Sequence, residues 1–206
     1  MNIQKAAAGG APPPPPPPPP LPPVEIKANT PPPAPKPPAV VTPQNPAGAF
    51  LVQLVIFNGA PFKDHWAYWI PSKTDDSVGI QIHATGDVNN GFKFEIKRNH
   101  DFDATTTLPA ATVSLQWIEA SEAEQKAMFD NGNSSVDGTP ISRFETCPYQ
   151  VKVPGKSLNA SGDRARAGTK VIQRDCPTWI VESADELAAR GIFSKEVAAY
   201  LRATEQ

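Results

Sequence analysis

The chain has 206 residues and 26 prolines, nineteen of them within residues 1–46. Lys and Arg number 19 against 21 Asp and Glu, a net charge of −2; Lys5, Lys27 and Lys36 against Glu25 put the first 46 residues at +2 and leave −4 for the rest. An acidic domain offers no cationic footprint to a nucleic-acid backbone, and no apolar run approaches the roughly 20 residues that span a bilayer, so neither nucleic-acid binding nor a transmembrane segment is expected.

Proline density divides the chain into a disordered, proline-rich tail at 1–46 and a single domain at 47–206. Residues 12–23, nine prolines followed by Leu21-Pro22-Pro23, favour the extended polyproline II helix. Such a segment suits the aromatic-lined groove of a polyproline-binding domain of the profilin, WW or SH3 type, and equally serves as a stiff spacer. The first twelve residues lack the apolar stretch of a signal peptide, and two cysteines, Cys147 and Cys176, make no disulfide framework. A cytoplasmic location with both thiols reduced is the expectation.

Residues 49–57 (AFLVQLVIF) read as a buried strand, and the aromatic run Asp64-His65-Trp66-Ala67-Tyr68-Trp69-Ile70 as a second. Residues 78–84 alternate, with Val78, Ile80, Ile82 and Ala84 on one face and Gln81 and His83 on the other. Residues 92–97 (FKFEIK) alternate again, and 112–118 form a fifth candidate; four or five short strands in sequence suggest an antiparallel meander. A capping box at Ser121 and Glu124 predicts a helix ending near Asn131-Gly132. Residues 131–148 read as loop, 149–153 as a short strand and 155–168 as a glycine-bearing loop. Residues 177–190 read as a helix closed by Gly191, and a last helix runs from N-cap Ser194 to about Arg202. Strands first and helices later describe an α+β fold, about five antiparallel strands with helices packed on them.

Cys176 lies in Arg174-Asp175-Cys176-Pro177-Thr178-Trp179. Proline is favoured at the first helical position, which would place Cys176 at the N-cap, facing the positive end of the helix dipole with a lowered pKa. A thiolate nucleophile needs a neighbouring base. If the strands of His65 and His83 pair, one imidazole can orient the other. His100 reads as part of a polar turn. Cys147 also precedes a proline but opens no helical pattern, and is the weaker nucleophile. Two histidines with Asp64, Asp87 or Asp101 could ligate zinc, yet no H-E-x-x-H or C-x-x-C spacing is present, and residues 86–91 read as a turn rather than a calcium loop. No metal or cofactor is expected. Arg164 and Arg166 could meet an anionic group, but read better as part of a solvated loop.

The strand His65-Trp66-Ala67, followed by Ile82-His83-Ala84 and much later by Asp175-Cys176-Pro177-Thr178-Trp179 opening a helix, resembles the lecithin:retinol acyltransferase-like family. There an H-W-A-type strand precedes a second histidine, and the nucleophile comes in an N-C-E-x-F-type motif. The order His, His, Cys is also that of circularly permuted papain-like enzymes, the broader group that includes NlpC-type peptidases. The resemblance implies a permuted papain-like fold with Cys176 as nucleophile, His65 as base and His83 as orienting third member. Here the gap between the histidines is longer, and Asp175 replaces the family's Asn, a negative charge that raises the pKa of a neighbouring thiol.

The expected function is therefore a thiol-dependent hydrolase or acyltransferase, working through a thioester acyl-enzyme on an amide, ester or thioester. Backbone N–H groups at the start of the 177–190 helix would form part of the oxyanion hole. The alternative is a catalytically inactive binding module of the same fold that uses the tail to recruit a partner.

Overall fold

The computed structural model describes residues 34–39, 46–156 and 174–205. The expected polyproline helix at 12–23, most of the loop at 155–168, Arg164 and Arg166 lie outside the described residues. The chain divides after Pro33, and every element below belongs to the unit Ala34–Gln206.

Among the described residues, six strands build one antiparallel sheet: β1 (Phe50–Phe57), β2 (His65–Pro71), β3 (Val78–Asp87), β4 (Gly91–Asp101), β5 (Ala111–Ile118) and β6 (Ser135–Asp137). Helices α1 (Gln125–Met128), α2 (Arg143–Gln150), α3 (Cys176–Ala189) and α4 (Lys195–Thr204) follow, an α+β arrangement. The sheet order is β5-β1-β2-β3-β4-β6, so only the first four strands form the expected meander. After β4, Phe102 stacks on Trp69 with ring centroids 4.2 Å apart, and the N–H of Ala110 donates to the carbonyl of Ile56 at 2.7 Å. These contacts carry the chain back over the sheet and deliver β5 to the open edge of β1.

β1 and β2 are apolar on both faces because both are covered. On one, Val52, Leu54, Tyr68, Ile80, Ile82 and Ile96 are fully buried with Trp179, Ile180 and Leu187 of α3 and Leu201 of α4. Each such aliphatic side chain contributes about 1.5–3 kcal/mol by leaving water. On the other, a smaller cluster gathers Val55, Phe57, Ala67, Trp69 and Phe102. Gly79 lets Trp69 lie flat across β3: a Cβ there would meet the indole at 2.5 Å and the carbonyl of Ile70 at 2.6 Å. The Tyr68 hydroxyl lies 2.9 Å from both the Ile180 carbonyl oxygen and Ser183 Oγ, which ties β2 to α3 in mid-element.

Three local expectations are corrected. Residues 131–148 are not a plain loop but contain β6 and most of α2, and residues 149–153 form no strand, since α2 runs to Gln150. The capping box belongs to Ser142 and Glu145, at the start of α2, while the segment beginning at Ser121 makes only a 3-10 turn and the four-residue α1, neither with a side-chain cap. The cause is tertiary. The Arg98 guanidinium, 3 % exposed, donates to the fully buried carboxylate of Glu145 at 2.8 Å and to Asp137 at 2.7 Å. That fork pulls α2 and β6 onto the end of β4 and holds the helix despite Pro148 inside it.

Candidate active site

β2 begins at His65, and the segment before it is anchored at both ends. Asp64 accepts a hydrogen bond from the N–H of Gly59 at 3.1 Å through its carboxylate, and Lys63 Nζ lies 3.0 Å from Asp175 Oδ2. His83 stands on the neighbouring strand β3, where it pairs across with Glu95 of β4. The two imidazoles meet with His65 Nε2 2.7 Å from His83 Nδ1 and the rings inclined at 68°. Phe57 flanks His65 with ring centroids 5.8 Å apart.

Cys176 is the first residue of α3, one position later than expected, because the N-cap is Asp175. Its carboxylate accepts from the N–H of Thr178 at 3.1 Å and from the Thr178 hydroxyl at 2.9 Å. An aspartate caps far better than a thiol, and Pro177 fits equally at the second helical position, where its missing N–H is not needed. The shift aims the side chain at the sheet: Cys176 Sγ lies 3.1 Å from His65 Nδ1 and 3.7 Å from the carbonyl oxygen of Asp64. Three residues separated by up to 111 positions thus form one connected chain, Cys176, His65, His83.

The electrostatics differ from a dipole-activated thiolate. Cys176 is 6 % exposed, and burial pushes its thiol up to about 12; hydrogen bonding from the N–H of Trp66 works against that rise, and the charge of Asp175 adds to it. Burial, reinforced by Lys97, pulls His65 down to about 4, against the opposing pull of Glu95. His83 is also pushed down, by burial first and then by His65 and Lys97. At neutral pH the three groups rest as a thiol and two neutral imidazoles. The expected lowering of the thiol by the helix dipole is thus outweighed, since removing water costs a buried thiolate more than one helix end returns.

The oxyanion expectation narrows as well. Pro177 has no N–H, that of Thr178 serves the Asp175 cap, and that of Trp179 donates to the Asp175 carbonyl at 3.1 Å. This leaves the N–H of Cys176, which already acts on Sγ, as the donor of that turn.

The other residues singled out lie elsewhere. His100 is on β4, not in a turn, with its ring edge-on to Trp69 and Phe102. Cys147 is fully buried inside α2, its thiol donating to the carbonyl of Arg143 at 3.4 Å. Asp87 caps the β3–β4 turn through the N–H groups of Asn89 and Asn90, and Asp101 caps that of Asp103. Among the described residues no cluster of three or more His, Cys, Asp or Glu side chains is placed to hold a metal ion, and no helix is long and apolar enough to cross a membrane. The sequence reading missed Glu95, whose Oε1 lies 3.2 Å from His83 Nε2, and Gln81, whose amide nitrogen lies 3.4 Å from His83 Nδ1. Their signal was the shared polar face of two adjacent alternating strands.

Fold and site together define an α+β protein with a buried cysteine at a helix start, directed at a histidine pair on an antiparallel sheet. Residues 52–194, which hold every one of these side chains, match a family of unknown function (DUF6540), and the chain belongs to it. No curated protein and no solved structure matches it.

Proposed function

We propose that the chain is a cysteine hydrolase or acyltransferase of circularly permuted papain-like architecture, with Cys176 as nucleophile, His65 as base and His83 as the residue that orients it. The observation that carries this reading is the unbroken contact from Sγ to His65 Nδ1 at 3.1 Å and from His65 Nε2 to His83 Nδ1 at 2.7 Å. A nucleophile, a base in reach and a third group holding the base is the arrangement that covalent catalysis needs.

Because thiol and imidazole both rest neutral, the proton leaves sulfur as the new bond forms. Sγ adds to the carbonyl carbon of an amide, ester or thioester while His65 Nδ1 takes the thiol proton. The N–H of Cys176 faces the developing oxyanion. The His65 imidazolium then protonates the leaving amine, alcohol or thiol, and a thioester remains on Cys176. Water or an acceptor, deprotonated by His65, releases the acyl group. A cytoplasmic setting, which keeps Cys176 reduced, belongs to the same reading, and residues 12–23 are its proposed contact with a polyproline-binding domain.

The test is acylation with p-nitrophenyl acetate. The wild-type chain should release a burst of nitrophenolate matched by one acetyl group on Cys176, and Cys176→Ala and His65→Ala should abolish both. A burst without an adduct on Cys176, or no adduct at all, would overturn the proposal. The burial that raises the Cys176 thiol to about 12 favours a second reading, an inactive binding module, for which the acetyl adduct is absent.

A further inference from the structure

We propose that Glu95 is the terminal, positioning member of this site: it fixes the tautomer of His83 and, through His83, the tautomer that lets His65 accept the thiol proton. The inference rests on the cysteine-enzyme reading and extends it by one residue.

Glu95 Oε1 lies 3.2 Å from His83 Nε2, and Oε2 lies 3.0 Å from Lys93 Nζ. Burial opposes the carboxylate, but hydrogen bonds from Lys93 and His83 hold it below its usual range, so it is ionised at neutral pH. An ionised carboxylate only accepts hydrogen bonds. His83 Nε2 must therefore carry the proton, and a neutral His83 is left with Nδ1 as an acceptor. The amide nitrogen of Gln81 also approaches that Nδ1, at 3.4 Å. The 2.7 Å contact to His65 Nε2 then requires that nitrogen to be the donor. A neutral His65 with its proton on Nε2 presents a bare Nδ1 to Cys176 Sγ at 3.1 Å. Every proton along the chain points toward Glu95.

Without a fixed acceptor at that end, the reversed set is equally well bonded between the rings. His83 would donate from Nδ1, and His65 would carry its own proton on Nδ1, facing the thiol with a donor that cannot take a proton. Glu95 thus acts through two rings and touches neither sulfur nor substrate. Its charge has a second consequence. Lys97, on the same strand, disfavours an imidazolium at His65 and at His83, and Glu95 opposes it at both. Lys93 tempers Glu95 from solvent, while Asp175 and Lys63 act on the thiol end of the chain with opposite signs. When the thiol proton reaches His65 Nδ1, both ring nitrogens of His65 are protonated, and Glu95 stays a carboxylate.

The experiment compares the full chain with its Glu95→Gln variant, in which an amide of the same shape can present either oxygen or nitrogen to His83. Nitrogen-15 spectra of the imidazoles should show both His65 and His83 protonated at Nε2 in the wild type, and a mixture with Nδ1 protonation in the variant. The rate of iodoacetamide alkylation of Cys176 near neutral pH should fall about tenfold, the equivalent of one pKa unit in the base, with the thermal unfolding midpoint checked alongside. A wild type with His83 protonated at Nδ1 overturns the proposal even if the variant does not fold. So does a variant with unchanged tautomers and unchanged rate, provided that wild-type alkylation depends on His65. If it does not depend on His65, the enzyme reading fails separately, and the tautomers still test the relay.

Discussion

Lys63 Nζ stands 3.0 Å from Asp175 Oδ2, so the segment leading into His65 is tied to the residue that caps the helix of Cys176. The pair joins the two halves of the site across 112 positions, and it also sets the charge beside sulfur. Asp175 raises the thiol and Lys63 lowers it. Asp175→Asn keeps an equally good cap and removes the charge, so alkylation of Cys176 should accelerate about threefold or more at neutral pH. Lys63→Met should slow it. With Lys63 side chain 55 % exposed, the ion pair itself contributes at most about 1 kcal/mol, and urea unfolding of either variant should move little.

Stability should depend on pH with a sign fixed by the site. His65 titrates near 4 in the folded chain and near 6.5 when unfolded. Between those values the unfolded state binds the extra proton, so stability is complete above the unfolded value and declines as pH falls toward 4. The thiol acts at the other end. Raised to about 12 when folded, it ionises first in the unfolded chain, so stability falls as pH rises above about 8.5. Urea unfolding across this range should show a plateau near neutrality, with a low-pH slope of up to about 1.4 kcal/mol per unit from His65 that His65→Ala removes, leaving the slope of the likewise lowered His83. A stability that rises on acidification below 6 contradicts it.

The Arg98 fork predicts where the fold breaks. Arg98→Ala leaves the fully buried carboxylate of Glu145 without its guanidinium partner, a loss of about 3–5 kcal/mol. The damage should begin in α2 and β6, read by hydrogen exchange as early opening of Arg143–Gln150 and Ser135–Asp137.

Gly79→Ala should cost about 1–3 kcal/mol, since its methyl group would enter both the Trp69 indole and the Ile70 carbonyl. Urea unfolding and Trp fluorescence report it together. An unchanged midpoint would mean that the indole can leave β3 freely.

Much of this was legible in the residues, for physical reasons. The strands of Val52, Ile80 and Phe94 announced themselves by period-two alternation or continuous apolarity, and α4 by its Ser194 cap. His65, His83 and Cys176 stand out as partners in the residues alone, and in the structure their side chains are in contact. What escaped was set at long range. Glu95 needed the β3–β4 register to be seen opposite His83. The helix Arg143–Gln150 contains a proline, and the buried ion pair with Arg98 that overrides it spans 47 residues. The N-cap was misplaced by one because Pro177 fits two helical positions, and only the Asp175 side chain decides between them. The resting charge state of the thiol was out of reach too, since burial outweighs the helix end.

The most direct test of the account is the pH profile of iodoacetamide alkylation at Cys176, read by mass spectrometry beside Cys147, with His65→Ala in parallel. If His65 takes the thiol proton during attack, the rate at Cys176 levels off above about pH 5 and stays flat to about pH 8, and the plateau vanishes in the variant. A rate that instead climbs about tenfold per pH unit through neutrality, alike in both proteins, would show a buried thiol waiting only for its own ionisation. Cys176 would then be a packing residue, and the chain no cysteine enzyme.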